Sequence, residues 1–146
     1  MADIGFYHLT RTELVDALAP LLARTLKLGR RATLRCATPE RLTALDAALW
    51  LNPQHKWLPH GTSAPEFQPI FLTTADSRPN GADFLFLLDG TDTIDAAGCA
   101  RIFDLFDGRD ATQVAAARER WRQRRTAGHD LTYWRQTDKG WEKSDG

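Results

Sequence analysis

Two nearly unbroken apolar runs, Ile70-Phe71-Leu72 and Phe84-Leu85-Phe86-Leu87-Leu88, limit what this chain can fold into more than any other feature. A strand that is apolar at alternate positions can leave one face in water. A strand that is apolar at every position has to be covered on both faces, which is the situation inside an α/β sandwich.

The rest of the chain supplies the covering layers. Asp3 to Leu9 and Ala32 to Ala37 read as two further strands, and Ile102 to Phe106 as another. Thr10-Arg11-Thr12-Glu13 has the pattern of a capping box, in which a hydroxyl and a carboxylate satisfy free amides at a helix start. Leu14, Leu18, Leu21, Leu22 and Leu28 recur behind it at helical spacing. Gly29 stands at the left-handed cap position, and Pro20 is expected to kink or break the helix. Thr38-Pro39 opens a second helix with its buried stripe at Leu42, Leu45 and Leu49. Asp110-Ala111-Thr112-Gln113 opens a last long helix that runs to Gly128. Leu131 to Gln136 and Trp141 to Lys143 flank a Thr-Asp-Lys-Gly turn. The expectation is one α/β domain over residues 1–146, a three-layer sandwich around a mainly parallel, mixed sheet, with 131–146 as a C-terminal strand or hairpin and tail.

Length and charge bound the function. The 146 residues suffice for a single core without disulfides or a structural metal, and Cys36 and Cys99 suit buried thiols. The start of the chain lacks the basic stretch and apolar run of a signal peptide, and no window approaches a membrane span, so a soluble cytoplasmic protein with no membrane partner is expected. Nineteen Lys and Arg balance nineteen Asp and Glu, which argues against a polycation that coats duplex DNA. The balance hides unlike parts: residues 1–60 carry a net +3, residues 61–107 a net −6 and residues 108–146 a net +3.

Signatures of catalysis are missing. The sequence contains no GxGxxG, Walker-type loop, GxSxG elbow, HExxH or paired CxxC, so neither catalytic residues nor a cofactor are expected. Four histidines, His8, His55, His60 and His129, have no mutual ligand spacing, and no metal site is expected. Asp89-Gly90-Thr91-Asp92-Thr93-Ile94-Asp95 is either a turn followed by a helix cap or a Mg²⁺ site for a phosphate enzyme centred on Asp89 and Asp92.

Two segments point to binding. On the last helix Val114, Ala117 and Trp121 form an apolar stripe, and Arg118, Arg122 and Arg125 recur at i, i+4 and i+7 beside it. Arg109, Arg120 and Arg124 add charge around the same element. Arginine forks beside an indole suit carboxylates, although a solvated basic face with Trp121 packed inward has the same pattern. The Pro-punctuated segment from Trp50 to His60 holds Trp50 and Trp57, which either anchor an interface or close the edge of the core.

Phe6-Tyr7-His8-Leu9, Leu45-Asp46-Ala47-Ala48-Leu49-Trp50, Trp57-Leu58-Pro59-His60-Gly61 and Ala117-Arg118-Glu119-Arg120-Trp121 continuing to Ala127-Gly128 together resemble the chi subunit family of bacterial DNA polymerase III, an accessory component of the clamp loader. The resemblance implies a nucleotide-binding-like fold without a nucleotide site, and a non-catalytic protein that bridges the clamp loader to single-stranded DNA-binding protein. It implies that one surface holds the acidic, Phe-terminated tail of that protein through Arg118, Trp121 and Arg122. By ungapped register Val114 stands where the family can carry a basic residue, which implies a tail site anchored by fewer charges or by Arg125 instead. A second surface, at Trp50, Trp57 and Pro59, is implied to hold the psi subunit or another clamp-loader component. Contact with nucleic acid would then be mainly indirect. The alternative is direct single-strand binding by the arginine helix, with Trp121, Trp134 and Trp141 stacking on bases.

Overall fold

The computed structural model describes residues 2–51 and 58–144. Its elements follow one another as β1 (Asp3–Leu9), α1 (Leu14–Lys27), β2 (Ala32–Arg35), α2 (Pro39–Leu51), β3 (His60–Gly61), β4 (Ile70–Thr73), β5 (Phe84–Leu87), β6 (Arg101–Asp107), α3 (Ala111–Thr126), β7 (Asp130–Thr137) and β8 (Gly140–Ser144). Single 3₁₀ turns at Pro65–Phe67 and Ala96–Gly98 precede β4 and β6.

Among the described residues the strands form one sheet in the order β3-β4-β2-β5-β6-β1-β7-β8. Every neighbouring pair is parallel except β7 and β8, which pair antiparallel with Gln136 opposite Trp141. The two apolar runs are β4 and β5, and β5 shows why they are apolar throughout. Phe84, Phe86 and Leu88 pack on one side of the sheet with Leu18 and Leu22 of α1 and Leu45 and Leu49 of α2. Leu85 and Leu87 pack on the other, in the same cluster as Ala117 of α3 and Ile4, Phe6 and Phe106. Helices thus cover both faces of a mainly parallel sheet, which is the expected three-layer α/β sandwich. The step from β4 to β5 has no helix. The buried Asn80 ties that loop down, accepting from the Thr33 hydroxyl at 2.7 Å and donating to the Ala32 and Gln68 carbonyls.

The first helix corrects one expectation and narrows another. It begins at Leu14, and its cap residue Glu13 makes no side-chain capping bond, so the Thr10 capping box does not form. The backbone amides of Thr10, Arg11 and Thr12 donate instead to one oxygen, Oε1 of Gln136 on β7, at 3.1, 2.9 and 3.2 Å. The Gln136 amide nitrogen donates back to the Thr12 hydroxyl at 2.8 Å. A partner far along the chain outcompetes the local cap because it satisfies three amides at once. Pro20 lies on the exposed side of α1 and does not break it. Gly29 closes the helix in the left-handed conformation, at φ 73°, with the Arg30 amide reaching back to the Thr25 carbonyl.

Candidate functional site

Asp110 caps α3, accepting from the amides of Thr112 and Gln113 at 2.9 and 3.4 Å. The Gln113 carboxamide oxygen accepts from the Asp107 amide at 3.0 Å, so the return bond of the capping box lands on the end of β6 rather than on the cap residue. From that start, a turn of 3.6 residues sends Val114, Ala117 and Trp121 toward the sheet, where they join the cluster around Phe6 and Phe106. The Trp121 indole meets Phe6 edge to face at 5.2 Å and Tyr133 of β7 at 5.8 Å, and stays half-buried.

The six arginines around this helix separate into different roles. Arg120 is buried and forks onto the buried Asp104 of β6, Nε to Oδ2 at 2.7 Å and Nη2 to Oδ1 at 2.9 Å. Arg124 pairs with the Asp92 carboxylate and donates to the Thr93 carbonyl at 2.8 Å. Arg109 is held by Asp107 at 2.8 Å and by the Thr12 carbonyl. These three are internal fasteners, not part of a free basic face. Arg118, Arg122 and Arg125 remain outward on the flank of Trp121. Arg122 has only an exposed i,i+3 pair with Glu119, at 3.1 Å, of a kind that contributes little. Among the described residues no carboxylate lies within ion-pair distance of Arg118 or Arg125.

Strand β7 forms the other wall of this face. Leu131 and Tyr133 alternate toward α3, and Arg135 continues the row outward. The Tyr133 hydroxyl sits 2.5 Å from His8 Nδ1 on β1. Burial lowers the His8 pKa, and Arg135 and Arg118 push it the same way; the Gly108 backbone and Asp107 oppose them. Burial raises the Tyr133 pKa against the pull of Arg135 and Arg118. A cavity of about 350 Å³ opens beside Trp121, Arg125, His129, Leu131 and Lys143. Tyr133, Arg135 and His8, which the structure adds to this candidate face, carry no motif in the sequence. The only available signal was the two-residue alternation of β7, which does not say which face meets α3.

The remaining candidates fall elsewhere. Trp50 is 60% exposed at the end of α2 and lies against the buried His60 ring at 4.1 Å, so it is not a core residue. The ring nitrogens of His60 lie 2.5 Å from the Leu58 carbonyl oxygen and 3.2 Å from that of Asp46. Leu51, 80% exposed, extends the apolar surface, and Pro59 is half-buried beside His60. Trp57 lies outside the described residues. Trp121 and Trp141 sit in clusters on opposite faces of the sheet, and Trp134 stacks on Tyr7, on the Trp141 side. The three indoles therefore do not converge on one strand of nucleic acid.

The acidic segment is a turn, with Asp89 and Gly90 at φ 57° and 79°. Its carboxylates are engaged: Asp89 by Arg41 at 2.9 Å, Asp92 by Arg124, and Asp95 by Arg78 at 3.0 Å. Among the described residues no group of three His, Cys, Asp or Glu can hold a metal ion. Both cysteines are buried in separate clusters, and burial pushes the Cys36 thiol up to about 12. The amides between β1 and α1, where a phosphate would dock in a nucleotide-binding domain, are filled by Gln136. No described helix is long and apolar enough to cross a membrane.

No curated protein matches the sequence. The family model described as DNA polymerase III chi subunit, HolC, matches residues 1–132, nine-tenths of the chain and all of the sheet up to the first residues of β7. With a match of that extent, the chain belongs to the DNA polymerase III chi subunit family, a replication accessory subunit.

Proposed function

We propose that this chi-family protein is a non-catalytic adaptor that joins the clamp loader to single-stranded DNA-binding protein by holding that protein's acidic, Phe-terminated tail on the face between α3 and β7. The observation that carries the proposal is a set of outward arginines beside a half-buried indole: Arg118 and Arg125 have no carboxylate partner among the described residues, and Arg122 has only a weak one. An acidic peptide supplies the missing anions. Guanidinium forks take its carboxylates, and Trp121 with Leu131 offers apolar area to a terminal phenyl ring. Val114 adds apolar surface, not charge, at the start of the same stripe.

The two contributions differ in size and in salt response. Each exposed charge contact contributes at most about 1 kcal/mol and weakens with salt. Burying the phenyl ring contributes roughly 1.5–3 kcal/mol and does not. Titrating the protein with a labelled aspartate-rich peptide ending in Phe tests this directly. Binding should weaken with salt and with Arg118→Ala or Arg122→Ala, and weaken more when the terminal Phe is removed. No binding at high micromolar peptide in low salt would refute it.

The exposed Trp50 and Leu51, with Pro59 nearby, are the proposed contact for psi or another clamp-loader subunit. Large exposed apolar side chains in such a group are characteristic of interface anchors. Trp50→Ala should abolish that contact and leave peptide binding unchanged.

A further inference from the structure

We propose that Arg135 on β7 completes the tail-binding face as a second cationic anchor, forming with Arg118 of α3 a two-element clamp for the carboxylates of the acidic peptide. The inference rests on the function proposed above and adds a residue that lies beyond the 1–132 stretch matched by the family.

The backbone places it there. Arg135 stands opposite His8 in the β1–β7 register, two residues along from Tyr133 and hence on the same side of the strand. Tyr133 is fixed on that side by its hydrogen bond to His8 and its edge-to-face contact with Trp121. Arg135 is exposed, and among the described residues no carboxylate comes within ion-pair distance of it. Its cross-strand neighbour Glu142 is the closest acidic residue in the β7–β8 register and does not pair with it. Arg118 stands on α3 one helical turn before Trp121, the residue that meets Tyr133 edge to face at 5.8 Å. Two cations on separate elements thus flank one aromatic floor made by Trp121 and Tyr133. Asp107, opposite Leu9 at the end of β6, is already engaged by Arg109.

Rigid placement matters for an arginine in this role. A guanidinium on a strand that is hydrogen-bonded on both sides loses less freedom on gripping a carboxylate than one on a loop. The Gln136 bonds to Thr10, Arg11 and Thr12 hold the neighbouring residue of β7 in place.

The test uses the full chain and the labelled aspartate-rich peptide ending in Phe. Arg135→Ala should weaken binding roughly threefold to fivefold, the effect of losing one exposed charge contact, and should flatten the salt dependence. Arg135→Lys should recover part of the loss, because it keeps the charge without the fork. Lys27→Ala, which removes the same charge on the far face of the sheet, should leave binding unchanged. Arg118→Ala weakening the peptide while Arg135→Ala leaves affinity and salt slope untouched would overturn the clamp and leave the tail-binding function standing. Failure of the unmodified protein to bind the peptide would overturn both. Comparable thermal midpoints for the Arg135 variants would exclude unfolding as the cause, since the side chain is exposed.

Discussion

Replacing Arg120 with Ala should destabilise the fold far more than removing any other arginine of α3. Arg120 is 7% exposed and Asp104 2%, and two hydrogen bonds at 2.7 and 2.9 Å join the guanidinium to the carboxylate. Truncating one partner leaves a buried carboxylate without a counter-charge, a change that costs about 3–5 kcal/mol. With a urea slope of about 2 kcal/mol/M for a domain of this size, the denaturation midpoint should fall by about 2 M. Burial already pushes the Asp104 carboxyl up, and without the opposing pull of Arg120 it rises further. A carboxyl whose folded pKa is raised binds more protons folded than unfolded, so its burden on stability grows as pH rises from about 3.9 through the folded value. The Arg120→Ala deficit should therefore be largest at neutral pH and shrink on acidification. Combining Arg120→Met with Asp104→Leu should restore most of the loss, because the pair is removed without stranding a charge. A single-variant loss below about 1 kcal/mol would refute the buried pair and the orientation it gives α3.

Gln136→Ala should cost about 2–3 kcal/mol in chemical denaturation, because three amides of residues 10–12 lose one shared acceptor. Gly108→Ala should be similarly costly, since an added methyl at that position collides with the His8 ring and approaches the Leu9 carbonyl oxygen at 2.8 Å; thermal midpoints check this. Stability should fall between about pH 7 and pH 5: the pKa values of His8 and His129 are both lowered, chiefly by burial, so the unfolded chain binds more protons below about pH 6.5. His129 Nδ1 accepts from the Ala2 amide at 3.1 Å, an acceptor lost on protonation, and His129→Asn should flatten the pH profile of the denaturation midpoint.

The layer architecture was legible because it depends on local pattern. Phe84 to Leu88 announced a strand covered on both faces, and the cap at Asp110 announced α3. The start of α1 was not legible, because its amides are satisfied by Gln136, more than 120 residues away. The candidate site was half legible for the same reason. Spacing along α3 put Arg118, Arg122 and Arg125 on one flank, but Arg120 counted as surface charge until Asp104 was seen beneath it. An aspartate inside the apolar run Ile102 to Phe106 was the available hint, since a buried carboxylate requires a partner. Arg135 could not be placed at all, because the β1–β7 pairing that sets it opposite His8 joins segments far apart in the chain.

Tail binding is tested most directly by measuring the affinity of this protein for intact single-stranded DNA-binding protein and for the same protein lacking its acidic tail. It requires a salt-sensitive complex with the intact partner, weakened by Arg118→Ala, and none with the truncated one. Equal binding to both, or binding that Arg118→Ala leaves unchanged, would contradict it.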